Sequence, residues 1–340
     1  MTSLYLAGHL SDRFGRRPVI LVALALEVLS AVLFLFWITV PGLIVARLIC
    51  GVGVGILTAT ATAHLSELRA IAKPQEKPGW ANTAATVVNT GGLALGPIIG
   101  GVLAQFVVAP LVAPYLIFLV LLVAAGVGVA LVPETVERDR NPPAYRPQTI
   151  SVPSAARGRF FAAAIGAAAA FSVFGVFTSL TATFVAGTLH VSSHLVAGAI
   201  VFGVMGSAAA AQLVFARIPD HRRLAIGVAL MVAGLLGVAG ASILLSIALF
   251  VVAGVVSGAG VGLVFGSAIG VASSLAPAGR RGEVLAGMFL WAYAGLTVPV
   301  VAVGIALSYF GGQGVMVVFA LAVLVVVLVT SVFMLRKADG

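Results

Sequence analysis

The chain has 340 residues, of which 61% are hydrophobic and only 9% charged, and it carries a formal charge of +9. Soluble domains hold about 25% charged residues, so an ordinary water-soluble globule is excluded. A single cysteine, Cys50, excludes an intrachain disulfide. No zinc-type cluster and no phosphate-binding loop occur, so neither a metal nor a cofactor is expected. In chain order, Met1–Ala7 is too short to cross a bilayer, which takes about 20 apolar residues, and reads as the last turns of a helix. No secretory leader is visible at this end. Apolar spans follow at 19–38, 42–63, 80–105, 111–132, 160–187, 194–216, 224–244, 246–270, 283–309 and 313–335. The longest hydrophilic stretch, 133–159, is rich in Pro and Arg and contains Pro133-Glu134-Thr135. The expected fold is an all-α polytopic membrane bundle.

The basic residues are segregated. Eighteen of the 19 Lys and Arg lie in 8–18, 64–79, 133–159, 217–223, 271–282 and the C-terminal tail, while the alternating short connections hold none. Such asymmetry places the basic loops and the C-terminus in the cytoplasm of a cell-membrane protein. It also accounts for the positive charge without nucleic acid as a partner. An internal repeat is legible as well. Cys50-Gly-Val-Gly-Val-Gly55 echoes Ser257-Gly-Ala-Gly-Val-Gly262. Pro74-x-x-Lys77-x-Gly79 echoes Pro277-x-x-Arg280-x-Gly282, and Asp12 with Arg16 and Arg17 echoes Asp220 with Arg222 and Arg223. The offsets of 203 to 208 residues indicate two parallel halves, 1–132 and 160–340, joined by a linker at 133–159.

One polar decapeptide carries the clearest signature. Gly8-His-Leu-Ser-Asp12-Arg13-Phe-Gly15-Arg16-Arg17 resembles the loop between the second and third helices of the major facilitator superfamily, a large family of secondary transporters. The resemblance implies two six-helix halves that rock about a central site, with Gly8, Asp12, Arg13, Gly15, Arg16 and Arg17 controlling the cytoplasmic gate. Membrane orientation by the arginines alone is the plainer alternative. On this numbering the complete spans are helices three to twelve. Helix one and most of helix two would then precede Met1, about 50 residues by the repeat offset.

Arg47-Leu-Ile-Cys-Gly51-Val-Gly53 resembles the fourth-helix motif of drug–proton antiporters in that family, with Cys50 in place of the usual glutamine. This implies a charge near the proton-coupling site. Arg47 inside an apolar span costs about 2.5 kcal/mol or more, so it should face a cavity or a partner, or else snorkel to the interface. Glu27 is the one acid well inside a span. Burial raises a carboxyl's proton affinity, so Glu27 is a second proton-coupling candidate, or a neutral acid bonded within the bundle. Gly92-Leu-Ala-Leu-Gly96-Pro97-Ile-Ile-Gly100-Gly101 resembles the antiporter motif. Gly92, Gly96 and Gly100 share a face that would permit close helix contact, and Pro97 removes a backbone donor. Candidate walls of the substrate cavity are Asn82, Thr86 and Asn89, then Phe171, Phe174, Thr178 and Thr181, then Trp291 and Tyr293, because small-molecule sites combine apolar surface with a few polar groups. The function implied is proton-coupled efflux of a small apolar or amphipathic compound by a monomer in the lipid bilayer, not enzymatic catalysis. The alternatives are an importer or facilitator of a small metabolite and a transport-inactive remnant.

Overall fold

The structure is a computed structural model. It describes residues 11, 14–73, 80–135, 156–276 and 281–335, with the backbone alone at 59, 80–90 and 281–283. Ten helices follow in order: α1 Arg16–Phe36, α2 Val40–Ala72, α3 Trp80–Phe106, α4 Ala113–Leu131, α5 Arg157–Gly187, α6 His194–Val214, α7 Asp220–Leu244, α8 Ile247–Ser274, α9 Arg281–Tyr309 and α10 Gly312–Leu335. Among the described residues nine helices are long and apolar enough to cross a membrane, and Gly91–Phe106 is a shorter apolar helix within α3. Helices suit this solvent because each closes its own backbone hydrogen bonds.

The helices match the expected spans but outrun several of them. α2 continues to Ala72, nine residues past the apolar run, and so carries His64, Glu67 and Arg69 on a helix rather than in a loop. Residues 64–72 contain no Gly or Pro, so nothing breaks the propagating helix. Arg69 in its last turn suits the negative end of the helix dipole. α7 begins at Asp220, an acid in the first turn, the position the dipole favours.

The chain divides into two compact units. One comprises Met1–Asn89 and Phe106–Gln148, the other Thr90–Gln105 and Thr149–Gly340. In the first, α1 packs along α2 and α4, and the hydroxyl of buried Ser30 on α1 donates to the Ala46 carbonyl on α2 at 2.9 Å. The second unit is built on α5, whose small residues Ala163, Ala164, Ala167 and Ala170 are fully buried. Phe250 is sandwiched between Phe177 and Phe184, with ring centroids 5.3 Å from each. α8 sits in the middle. A Cβ at Gly258 or Gly262 would collide with the carbonyls of Val204 and Ala208 on α6, and one at Gly260 would meet the Met231 nitrogen on α7 at 2.5 Å. Such small-residue faces let membrane helices approach closely where water supplies no driving force. Buried hydroxyls turn back onto their own helix, as Ser257 does to the Gly254 carbonyl at 2.9 Å.

Candidate functional site

Gly15 precedes α1 with φ of +95°, a conformation that glycine adopts without a steric penalty. A Cβ there would lie 2.6 Å from a carboxylate oxygen of Glu134. Glu134, just beyond α4, accepts the backbone amides of Arg16 at 2.9 Å and Arg17 at 3.0 Å. One carboxylate thus satisfies two of the orphan donors at the start of α1, where negative charge is favoured. The Arg16 guanidinium reaches across to Glu67 on α2 at 2.9 Å and donates to the Ser11 hydroxyl. Thr135 donates its hydroxyl to the other Glu67 oxygen. His64, one turn before Glu67 and buried, places Nδ1 3.0 Å from the same Thr135 hydroxyl. The ends of α1 and α2 and the segment after α4 are therefore locked by one charged network. Gly8, Asp12 and Arg13 lie outside the described residues. In the second unit Asp220, the repeat counterpart of Asp12, opens α7 and pairs with Arg223 at 2.7 Å.

The network contains Gly15, Arg16 and Arg17 of the expected loop together with Glu67 and His64, which the sequence reading does not single out. The available signal was an acid three residues after a histidine, just before Arg69 and Lys73.

Glu27 and Arg47 do not face one another. The Glu27 carboxyl lies against Gly53, where a Cβ would collide with it, and its Oε1 is buried without a partner. The Cys50 thiol and the Val54 backbone lie within reach of the carboxyl. Arg47 is exposed, with its guanidinium 5.3 Å from the Phe34 ring centroid. Phe34 in turn stacks on Tyr115 of α4, centroids 5.3 Å apart. A guanidinium over an aromatic face is a favourable cation–π pair, so Arg47 has found a partner within its own unit.

On α3 the close helix contact falls on Pro97 and Gly101. A Cβ at Gly101 would meet the His194 carbonyl at 2.7 Å and the Gly198 Cα at 3.2 Å, and one at Gly198 would collide with the Pro97 carbonyl. At Gly92, Gly96 and Gly100 a Cβ would meet nothing within 4 Å. The expected glycine face is corrected accordingly: the contact lies one residue further along the helix, on the adjacent face. Gln105 completes it, its side-chain carbonyl accepting the His194 amide at 3.0 Å and the Ser193 hydroxyl at 3.4 Å.

The cavity-wall candidates separate. Phe174 and Tyr293 gather around Phe171, at 5.9 and 6.0 Å between centroids, and Phe171 also packs on Phe265 at 4.6 Å. Thr178 is exposed but bonded to its own helix, to the Phe174 carbonyl at 2.8 Å. Thr181 is buried among Phe177, Leu235 and Phe250, with its hydroxyl unpartnered. Trp291 lies apart, partly exposed, edge-on to Phe161 at 6.0 Å. The backbones of Asn82, Thr86 and Asn89 lie on α3, and their side chains are outside the described residues.

Comparison with known proteins fits this geometry. The Major Facilitator Superfamily model matches residues 1–299. A 62-residue stretch is 37% identical to the arabinose-proton symporter of Bacillus subtilis (strain 168), spanning 18% of this chain and 13% of that protein. Among solved structures, a POT family transporter in complex with 5-aminolevulinic acid superposes with a TM-score of 0.74 at 12% identity, covering 98% of this chain and 86% of that one. The human organic anion transporter MFSD10 gives 0.63 at 17% identity, covering 97% and 80%. A bacterial homologue of the iron transporter ferroportin gives 0.66 at 14% identity, covering 99% and 88%. At these identities the structures speak for the fold alone.

Proposed function

The chain belongs to the major facilitator superfamily, and from that premise we propose that this membrane transporter exports a small apolar or amphipathic compound in exchange for protons. It is a carrier of small molecules, not an enzyme. The observation that carries the export reading is the Pro97–Gly101 crossing with Gly198, which sits within the stretch resembling the antiporter motif. The protein resides as a monomer in the cell membrane, with the basic loops and the C-terminus cytoplasmic, a reading supported by the charge segregation. Alternating access moves the substrate. The Arg16–Glu67 network holds one gate, with Gly8, Asp12 and Arg13 contributing from the same loop. Glu27 is the better proton carrier, because its carboxyl has an unpartnered buried oxygen, whereas Arg47 already rests on Phe34. Phe174 and Tyr293, gathered around Phe171, supply the aromatic part of a substrate wall in the second unit; Asn82, Thr86 and Asn89 remain polar wall residues on the sequence reading alone.

The short match to an arabinose-proton symporter favours a second reading, proton-driven uptake of a sugar. Everted membrane vesicles containing the protein discriminate the two. Export predicts that an imposed inward-acid gradient drives ethidium into the vesicles, and that a protonophore abolishes the uptake. Arabinose-dependent proton movement without ethidium transport would overturn export in favour of symport. Movement of neither, by protein shown to be inserted, would favour an inactive chain.

A further inference from the structure

We propose that the groove between α9 and α10 seats one acyl chain of a bilayer phospholipid. The two helices are joined by a tight turn, in which the Phe310 amide donates to the Ala306 carbonyl at 2.8 Å. Each nevertheless packs on α5 more than on the other. A Cβ at Gly175 of α5 would collide with the Leu296 carbonyl and the Val300 side chain on α9. One at Gly312 of α10 would collide with the hydroxyl of Thr188, which ends α5. Pro299 lies inside α9 and removes a backbone donor there, which bends a helix. From Pro299 to Phe310 a cleft of about 720 Å³ opens between the pair. Buried Val303, Val315 and Phe319 form its floor. At Gly311 and Gly314, which also line it, a Cβ would meet nothing within 4 Å.

The lining chemistry selects the occupant. Water needs about two to four polar partners per molecule, and among the described residues lining the cleft Gln313 alone has a polar side chain. An empty cleft would forfeit the dispersion contacts of its walls. The groove is continuous with the lipid-facing surface of the bundle. Val301 and Ile305 on α9 and Val318 and Leu321 on α10 are large, apolar and exposed beside it, so hydrocarbon is the medium at its mouth. The length agrees as well. From Pro299 to Tyr309, α9 rises about 15 Å, the depth of one leaflet in a hydrocarbon layer about 30 Å thick. Gln313 and exposed Tyr309 mark the end at the turn, where a polar group and an amphipathic ring suit the headgroup level. A chain that enters beside them and runs to Pro299 fills the groove along its length. The proposal rests on membrane insertion of this fold and not on the direction of transport.

Photo-crosslinking of the full chain in nanodiscs tests the site without any transported substrate. The probe is a phosphatidylcholine with a diazirine at the middle of one acyl chain, and adducts are mapped by peptide mass spectrometry. The α7–α8 pair is the internal reference. Its turn lies two helices earlier, hence on the same membrane side, and Leu236, Ile243 and Val252 are exposed on it. Its glycines close it instead of opening a cleft, since a Cβ at Gly234 would collide with Ser257. Adducts per exposed residue are expected to be about fivefold denser at 299–322 than at 236–252, a preference of about 1 kcal/mol. Ala302 and Ala322 line opposite walls and are exposed, so a larger side chain at either fills the groove from one side. Ala302→Phe or Ala322→Phe should bring the adducts at 299–322 down to the reference density while those at 236–252 persist. Equal density at the two pairs in the unaltered chain, or a groove signal unchanged in both variants, would overturn the proposal.

Discussion

Gln105 caps a helix to which it does not belong: its side-chain carbonyl accepts the amide of His194, the first residue of α6, at 3.0 Å. Ser193 at the N-cap already accepts the Val196 amide at 3.3 Å, so two side chains share the orphan donors there. Gln105→Ala should leave the His194 amide without its partner. Loss of a capping interaction costs about 1 kcal/mol, so amide exchange in the first turn of α6 should quicken about fivefold. Hydrogen–deuterium exchange of the protein in nanodiscs reads this directly. Unchanged protection at His194–Ala197 would show that the contact is not maintained in the membrane.

Gly101 and Gly96 lie five residues apart on α3 but have opposite surroundings. Gly101→Leu forces a side chain into the His194 carbonyl and Gly198. Overpacking of this kind costs about 1–3 kcal/mol. Gly96→Leu enters open space and should change stability by less than about 0.5 kcal/mol. Thermal unfolding of the two variants in detergent should separate them by several degrees. Equal melting temperatures would contradict the crossing geometry.

Glu134→Ala removes the carboxylate that caps α1 through the Arg16 and Arg17 amides. A loss of about 1–2 kcal/mol is expected. Glu134→Gln retains an acceptor but loses the charge that suits the helix dipole, and should cost less. Gly15→Ala should be destabilising in the presence of Glu134, from both the φ of +95° and the 2.6 Å approach. In a Glu134→Ala background only the backbone part of that cost should remain. Proteolysis near residue 15 under native conditions measures all three changes.

Gly53→Ala places a methyl group against the Glu27 carboxyl. The carboxyl is the far end of a flexible side chain and can shift, so the single change should lower stability by about 1 kcal/mol, the low end of overpacking costs. Glu27→Ala should relieve the clash, so the double variant should unfold at a higher temperature than Gly53→Ala alone. A double-mutant cycle gives the coupling. Strict additivity would mean that Glu27 does not rest on Gly53.

The membrane spans and the segregation of positive charge were legible from apolar run length and loop composition, because the bilayer imposes both. The partners were not. Arg16 is prominent in its motif, but nothing in the sequence sets the rotation of α2 that turns Glu67 towards it. Nor does the sequence say that α2 stays helical through His64, since the apolar run that marks a span ends at residue 63 while backbone hydrogen bonding continues. Thr178 and Thr181 share a stripe on α5 by spacing, yet one is exposed and the other buried, because that stripe falls on the edge of a packed interface. On α3 a rotation of one residue moved the contact from Gly96 and Gly100 to Pro97 and Gly101. Spacing identifies a small-residue helix, but the neighbour determines which small residues are used.

The 33 residues of α2 extend about 50 Å, against a hydrocarbon layer of about 30 Å. Glu67 lies 27 residues beyond Val40, about 40 Å along the axis. The apolar run of α2, 42–63, accounts for about 33 Å of that length and so by itself matches the hydrocarbon. The nine residues after it continue the same helix without a break and carry His64, Glu67 and Arg69 past the lipid as a rigid arm. Any displacement of α2 within the bilayer is therefore delivered undiminished to one jaw of the Arg16–Glu67 pair.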